Sequence, residues 1–425
     1  MTAPEPPMSL ANRIPPARRP LPRQAAYLLA AAAIGLALFA SGTPSPLYGT
    51  YAEMWGFDSL VLTLVYATYA FGVLATLVLA GRLSDEVGRR PVLVVALSAL
   101  AIVTVPFMLA DSVAWLFVAR GIQGLATGLV LSAASAALLD LHKDRDAVAV
   151  SLTNGVASTV GLASGVLASA AIVEFLPAPR VLPYVLLLAL FLLALAGAWR
   201  LREPVEVAPG ARFHLTPQRP YVPPAARRPF LLASLAVLSS WSIGGLFLSL
   251  GPELAAIVYG STNHLVVSGL PFFLLAGAAT LSQLSFGRAA PWAAAVYGSL
   301  TLAFGMGVIV AASATSSAAL FTIGAVIAGA GFGVAFLGGL RTLSAAIPPE
   351  HRAATMSAFY VVAYGSLSLP AVLAGVMVEP LGVQETFEIF GSAIALIALL
   401  VTCEAWRQRP RPAAARAAEL STSPG

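Results

Sequence analysis

The sequence predicts an all-α membrane protein in which twelve transmembrane helices form two bundles of six helices each. Three observations indicate this fold class. Only 10% of the 425 residues are charged, 58% are hydrophobic and the mean hydropathy is +0.85, whereas a soluble domain carries roughly a quarter charged residues. Twelve apolar segments have the length of about 20 residues that a helix needs to cross a bilayer. A long polar, proline-rich stretch follows the sixth segment.

The twelve segments occupy most of the chain and are separated by short polar loops. We predict that each is a helix, because open sheet edges leave backbone groups unpaired in lipid and because the alternation of a β-barrel strand is absent. In chain order their approximate bounds are 25–49, 59–80, 91–110, 113–139, 147–173, 181–201, 229–256, 264–287, 291–312, 317–342, 354–378 and 383–405.

The polar stretches divide the chain into five parts. Residues 1–24 are rich in Pro and Arg and have no apolar period, which predicts a disordered cytoplasmic arm. An N-terminal six-helix bundle follows at 25–203, a cytoplasmic linker at 204–228, a C-terminal six-helix bundle at 229–406 and a cytoplasmic tail at 407–425. An alternative for the start of the chain is a secretory signal peptide, in which the arginines of the arm form the basic region.

Lys and Arg lie almost entirely on one side of the predicted topology. If the N-terminus is cytoplasmic, the inward-facing parts hold all 24 of these residues except Arg120 and Arg180. Because cytoplasmic loops carry an excess of Lys and Arg, we expect both termini in the cytoplasm and multi-pass insertion in the inner (plasma) membrane. The net charge of +5 then reflects topology, so we expect the lipid bilayer, and no nucleic acid, as partner.

The two halves of the chain repeat features at a constant offset. Pro46 and Pro252 both lie near the outer end of the first helix of a half, 206 residues apart. Gly81 and Gly287 follow the second helix of each half and are also 206 residues apart. This offset supports an internal duplication of six helices.

The second and third segments are joined by the loop Gly81-Arg-Leu-Ser-Asp85-Glu-Val-Gly88-Arg89-Arg90-Pro91. Gly81 allows two helices to approach closely, and Gly88 allows a tight turn. Asp85 can accept hydrogen bonds from Arg89 or from backbone N–H groups at a facing helix end. We predict that the loop, with Arg90, is a latch that holds the two halves together on the cytoplasmic side. The alternative is an ordinary cytoplasmic turn with positive charge.

This loop resembles the signature loop of the major facilitator superfamily, written G-x-L-x-D-x-x-G-R-R, in its residues and in its place between those helices. The stretch Arg120-Gly-Ile-Gln123-Gly in the fourth segment is similar to the R-x-x-Q-G element of that family. Antiporters of the family carry G-x-x-x-G-P-x-x-G-G in the fifth helix, whereas this chain keeps only Gly161 and Gly165 of that pattern, which weakens an assignment as an antiporter. The resemblance covers about 25–406. It implies two six-helix bundles around a central cavity that opens to alternate sides.

Arg120 and Gln123 are the strongest candidates for substrate binding or coupling. Arg120 lies about eight residues from the outer end of its helix, which places it roughly 12 Å deep. A charge there costs about 2.5–3.5 kcal/mol on insertion scales, so we expect it to face a polar cavity, with Gln123 one turn away on the same face. The alternative is a structural arginine that is bonded to helix carbonyl groups.

Other polar and aromatic residues within the segments are candidates to line a substrate path, or else to pack between helices: Tyr66, Tyr69, Asn154, Trp241, Tyr360 and Tyr364. No acidic residue lies deep in any segment, so proton carriers are expected at the outer rim, where Glu53 and Glu253 lie. No Cys and His residues have metal-ligand spacing, so we expect no metal site.

The sequence therefore predicts a secondary active transporter of small molecules that works by alternating access. Export of drug-like or hydrophobic metabolites ranks first, with proton coupling left open. Uptake or facilitated diffusion of a sugar or small anion is an alternative, and a non-transporting membrane sensor or assembly partner is an alternative of another class. An enzyme or an ATP-driven pump is disfavoured, because H-E-x-x-H, G-x-S-x-G and G-x-x-x-x-G-K-[ST] are absent. We expect no cofactor and a monomer.

Overall fold

The computed structural model describes residues 20–205, 220–348 and 351–409, and the regular secondary structure in these ranges is helical. Short 3₁₀-helices lie at Ser45–Leu47 and Pro224–Ala226, and a π-helix at Leu265–Gly269. The α-helices of the described ranges are α1 Arg23–Gly42, α2 Tyr48–Trp55, α3 Ser59–Leu79, α4 Leu83–Val87, α5 Arg89–Leu109, α6 Val113–Leu141, α7 Ala147–Phe175, α8 Leu182–Ala198, α9 Arg227–Ser249, α10 Gly251–Tyr259, α11 Leu270–Phe286, α12 Pro291–Thr315, α13 Ala318–Ala346 and α14 Arg352–Arg407.

The apolar helices confirm an all-α membrane fold. Within the described residues, ten helical stretches are long and apolar enough to cross a membrane. Helix α8 is apolar but has only 17 residues. Helix α14 runs over 56 residues, although Gly382 interrupts it with φ 80° and ψ 164°. The number of twelve spans stays a prediction.

The main difference from the predicted segments is that two of them are broken near one end. In the segment predicted at 25–49 the α-helix ends at Gly42, because Pro44 and Pro46 carry no backbone N–H for an α-helix. The segment predicted at 229–256 breaks at Leu250 and resumes as α10, with Pro252 in its first turn. The first helix of each half is therefore broken at an equivalent place.

Parts of the predicted arm, linker and tail fall outside the described residues, namely 1–19, 206–219 and 410–425. Helix α1 begins at Arg23 and α9 at Arg227, each two residues before the predicted start of its bundle.

The helices form two groups that meet along two helix pairs. Helices α1, α3, α5, α6, α7 and α8 pack among themselves, and so do α9, α11, α12, α13 and α14. Between the groups, α3 lies against α14 and α7 against α11. These two seams are where side chains from both groups come together.

Polar contacts distinguish the two ends of the molecule. At one end, Arg23 Nε donates to the carbonyl oxygen of Leu141 at 2.8 Å, which joins the start of α1 to the end of α6. The 81–91 loop lies at this end, which we call the basic end. At the opposite end, which we call the acidic end, Ser45 Oγ donates to the carbonyl oxygen of Leu248 at 2.8 Å and links the two helix groups.

Candidate functional site

The break after α1 leaves backbone carbonyl groups inside the bundle, and the Arg120–Gln123 pair of α6 binds them. Pro44 has no N–H to donate to the carbonyl oxygen of Ala40, four residues earlier. Gln123 Nε2 donates to this oxygen at 2.9 Å instead, and Arg120 Nη1 donates to the carbonyl oxygen of Ser41 at 3.0 Å. The two side chains therefore supply the donors that the proline-containing backbone lacks.

Arg120 is completely buried, and its guanidinium group is surrounded by protein partners. Its Nε and Nη2 donate to the hydroxyl of Tyr48, and its Nη1 also donates to Gln123 Oε1 at 2.8 Å. The rings of Tyr48 and Tyr69 lie 5.5 and 5.4 Å from the guanidinium carbon, within the range of cation–π attraction. In this conformation the contacts of Arg120 match a structural arginine rather than one that faces an open cavity. Sequence reasoning missed Tyr48, because the signal for it, a tyrosine after two prolines, is weak.

Four of the predicted aromatic residues meet across the α3–α14 seam. Tyr69, Tyr364, Trp241 and Tyr360 belong to one cluster, which we call the interface cluster. Trp241 stands edge-on to Tyr364, with ring centroids 5.2 Å apart and an interplanar angle of 85°. The interface cluster is therefore a contact between α3 of one helix group and α9 and α14 of the other.

Tyr66, one turn before Tyr69, packs into the apolar core that is formed mainly by helices of the second group. It is buried to 2% exposure. Helix α3 thus places two tyrosines against the opposite helix group, since residues three apart lie on one helix face.

The α7–α11 seam carries a line of polar groups that sequence reasoning largely missed. The hydroxyls of Thr159 and Thr280 are 2.7 Å apart, so one hydrogen bond joins the two helix groups here. Nearer the basic end, a Cβ on Gly155 would stand 2.8 Å from Gln283 Oε1. The predicted candidate Asn154 instead donates to Ser135 Oγ of α6 at 2.6 Å. Threonines pack in many helices, so their spacing alone gives no signal for this contact.

The predicted latch is a compact charge network within the first helix group. Arg89 pairs with Asp85 and, through Nε at 3.1 Å, with Asp140 Oδ2 at the end of α6. It also donates to Ser84 Oγ at 2.8 Å. Among the described residues, these hydrogen bonds of Asp85 and Arg89 all join parts of the first helix group. Ser132 Oγ donates to the carbonyl oxygen of Gly81 at 2.8 Å, which ties the start of the loop to α6.

Glu203, which follows the end of α8, completes this network. Its carboxylate accepts from the backbone N–H groups of Arg89 at 2.8 Å and of Arg90 at 3.0 Å, and so satisfies the start of α5. Gly88 makes room for it: the φ of Gly88 is 101°, and a Cβ there would stand 2.6 Å from Glu203 Oε2. The glycine predicted for a tight turn is therefore also required for this capping contact.

The two predicted proton carriers differ in their surroundings at the acidic end. Glu53 is exposed on α2. Glu253 on α10, beyond the membrane-crossing stretch Pro224–Ser249, lies beside the side chain of Ser59 at the start of α3. One side of Glu253 remains exposed, and burial of its other side raises the pKa of its carboxyl group. Glu253 therefore belongs to a contact between the two helix groups, whereas Glu53 faces outward.

A second carboxylate also joins the groups at the acidic end. Glu174, near the end of α7, accepts a hydrogen bond from the backbone N–H of His264 at 2.9 Å. Together with the contacts of Ser45 and Glu253, it closes this end of the molecule in the present conformation.

The fold and these seams define a membrane transporter, as comparison with known proteins also indicates. Residues 30–371 match the family described as Major Facilitator Superfamily. This chain therefore belongs to the major facilitator superfamily, a family of transporters rather than enzymes.

Curated relatives match only parts of the chain. The multidrug resistance protein MdtL of Klebsiella pneumoniae is 30% identical over 144 residues, which are 33% of this chain and 36% of that protein. MdtL of an Escherichia coli strain is 30% identical over 115 residues, 27% of this chain and 29% of that protein. An uncharacterized transporter of Schizosaccharomyces pombe is 29% identical over 102 residues, 24% of this chain and 21% of that protein. The chain thus spans about a fifth to a third of the length of the curated relatives it matches.

A solved structure covers more of the chain. The human organic anion transporter MFSD10 (TETRAN) superposes with a TM-score of 0.64 at 17% identity, over 91% of this chain and 100% of that chain. At this identity the match shows a shared fold.

Proposed function

We propose that this protein is a secondary active transporter of the inner (plasma) membrane, which exports drug-like or hydrophobic small molecules by alternating access. The observation that supports this most directly is the interface cluster, where aromatic side chains of both helix groups meet at a seam. Substrate held between the groups can be exposed to either side when the groups rock against each other. The MdtL relatives, named for multidrug resistance, favour export.

The basic end faces the cytoplasm in this proposal, because Lys and Arg concentrate in cytoplasmic loops. The acidic end, which is held closed by contacts of Ser45, Glu174 and Glu253, then faces outward. The conformation described here is accordingly one in which substrate would exchange with the cytoplasmic side or be enclosed. The transporter works as a monomer, since each chain contributes both helix groups.

The distribution of charge favours neutral or anionic substrates over cations. In the described residues, every Asp and Glu lies in a loop or within six residues of a helix end or of the Gly382 kink. Arg120 is the charge that lies buried within a spanning helix beside the interface cluster. A cationic substrate would meet this charge without a compensating carboxylate, and unpaired like charges in a poorly solvated site repel strongly.

Flux into proteoliposomes tests the proposal. Three lipophilic fluorescent probes of similar size, one permanently cationic, one neutral and one anionic, would be compared with protein-free liposomes. We expect protein-dependent flux of the neutral or the anionic probe, and less flux with the Trp241→Ala variant. Exclusive flux of the cation would contradict the proposed substrate class. Absence of flux for all probes and for a sugar panel would favour a sensor or assembly partner instead.

A further inference from the structure

A groove lies on the outer surface of the molecule, away from both seams. It is a groove of about 350 Å³ between the first turns of α12 and the last turns of α14. Val296, Tyr297 and Leu300 line it from α12, and Thr402, Cys403 and Trp406 line it from α14. Its volume is within the range of about 300–1,000 Å³ that is usual for small-molecule sites. Because it opens sideways, its occupant comes from the bilayer.

The groove lies at the depth of lipid headgroups on the basic side. Helix α12 begins at Pro291, so Tyr297 is about 9 Å along the helix from that end. Trp406 immediately precedes the last residue of α14. Both rings are about half exposed, 53% for Tyr297 and 47% for Trp406. Half-exposed Tyr and Trp at helix ends are typical of the membrane–water interface.

Positive charge stands at the mouth of the groove. Arg407 lines it and keeps 80% of its side chain exposed, and the guanidinium carbon of Arg409 lies 4.5 Å from the ring centroid of Trp406. Glu404 is 3.8 Å from Arg407 and offsets one of these two charges. The mouth therefore retains a net positive charge, directly beside an apolar channel.

This combination distinguishes the groove from a surface that any lipid tail covers. A smaller groove of about 180 Å³ at the basic end, lined by residues such as Val87, Val92 and Leu129, has only apolar lining. The smaller groove offers no lining group that would select a lipid headgroup. The groove of α12 and α14 offers both an apolar channel and cationic donors for a phosphate, which guanidinium groups bind well.

We propose that this groove binds an anionic glycerophospholipid of the leaflet at the basic end. One acyl chain lies along Val296 and Leu300, and the headgroup phosphate lies between Arg407 and Arg409. A zwitterionic lipid can also place an acyl chain in the channel, but its headgroup neutralises less of the positive charge of the arginines. The one positive charge that Glu404 leaves uncompensated should raise the preference for an anionic headgroup by about fivefold, the equivalent of about 1 kcal/mol for a basic residue near an anionic surface.

The chain provides its own probe for this site. Cys403, the single cysteine of the sequence, is exposed and lines the groove. A bound acyl chain should shield its thiol, so the rate of alkylation by a maleimide reports occupancy. The measurement needs no transport assay, and so its outcome is independent of the function proposed above.

The experiment measures the alkylation rate of the full-length protein in detergent while phosphatidylglycerol or phosphatidylcholine is added. We expect phosphatidylglycerol to slow alkylation at several-fold lower concentration, and the Arg407→Gln/Arg409→Gln variant to lose this difference. Lys143→Gln, an exposed cation of the other helix group, is the matched control and should keep it. Native mass spectrometry, which counts bound lipids, should show the same loss, and thermal unfolding checks that the variant is folded.

Three results would overturn the proposal. Equal protection by both lipids would mean that the groove takes any acyl chain. Protection by inorganic phosphate alone would mean that the arginines bind a free anion. A loss of preference in Lys143→Gln equal to that in the double variant would mean that the overall charge, rather than this groove, selects the lipid.

Discussion

Gln123 Nε2 donates a hydrogen bond to the carbonyl oxygen of Ala40, the group that Pro44 leaves without its helical donor. Arg120 does the same for Ser41, one residue further along. The two side chains thereby hold the broken end of α1 against α6 and keep its carbonyl groups paired inside the bundle. The R-x-x-Q spacing of α6 is explained by this task, because residues three apart lie on one helix face.

Because Gln123 binds the carbonyl oxygen that Pro44 leaves unpaired, mutations of Gln123 and Pro44 should have non-additive effects on stability. Gln123→Ala should lower stability by about 1–3 kcal/mol, because a buried acceptor loses its donor. Thr43 and Pro44 have right-handed helical backbone angles, so an N–H at position 44 would point toward Ala40. Pro44→Ala should therefore reduce the cost of Gln123→Ala. Thermal unfolding of the wild type, the two single variants and the double variant measures this coupling; strictly additive effects would contradict it.

Arg120 is expected to be needed for stability as well as for transport. Arg120→Ala leaves the hydroxyl of Tyr48 and the carbonyl oxygen of Ser41 without their donor, and should cost about 3 kcal/mol. Arg120→Lys keeps the charge but cannot reach Tyr48, Ser41 and Gln123 together, since it lacks the planar fork. We expect both variants to unfold at lower temperature in detergent and to lose flux. A stable Arg120→Ala protein that lacks only transport would instead support a cavity-facing arginine.

The network at the basic end predicts that Glu203 contributes more to stability than the motif residue Asp85. Glu203→Gln removes one of two acceptors for the start of α5 and should cost about 1 kcal/mol, as loss of a helix cap does. Asp85 is 56% exposed, and exposed ion pairs contribute about 0–1 kcal/mol. Asp85→Asn should therefore unfold almost like the wild type while transport falls. Asp111→Asn, an exposed acid of the other end, serves as control. A larger loss of stability in Asp85→Asn than in Glu203→Gln would contradict this ranking.

The acidic end should close more completely as the pH falls. Burial raises the pKa of Glu253 in this closed conformation, so the closed form binds a proton more tightly than a form in which Glu253 is fully solvated. The closed form is then favoured at low pH and loses this advantage as the pH rises through the raised pKa. Spin labels on Met54→Cys and Ile257→Cys, in a Cys403→Ser background, should approach each other between pH 7 and pH 5. Glu253→Gln should remove the pH dependence, and Glu53→Gln should keep it.

The sequence was sufficient for the features that depend on neighbours along the chain. The composition and the segment lengths predicted the membrane fold. Asp58 immediately precedes α3 and accepts from the N–H of Val61 at 2.8 Å, the capping contact that Asp commonly makes at the start of a helix. The pair of Asp85 with Arg89 lies at a spacing of four residues, which a single helical turn brings together.

Partners that are distant in the chain could not be predicted in the same way. Glu203 binds the start of α5 from 114 residues away, and Tyr48 meets Arg120 from 72 residues away. Contacts between residues so far apart in the chain produce no periodic pattern that a single sequence would show. The presence of Tyr69 and Tyr364 in one cluster likewise depends on the register of α3 against α14, which only the packed structure gives.

Separation of the two helix groups at the acidic end is the central claim, and a cross-link there tests it most directly. A Cβ on Gly375 of α14 would touch Thr63 Oγ1 of α3 and stand 3.0 Å from Thr63 Cγ2, so cysteine side chains at these two positions would lie within disulfide reach. Thr63→Cys/Gly375→Cys in a Cys403→Ser background would be oxidised in proteoliposomes and assayed for flux of the probe that the wild type transports. We predict that the oxidised protein is inactive and that reduction restores flux, with each single variant insensitive to oxidation. Full flux through the completely cross-linked protein would contradict alternating access between these helix groups.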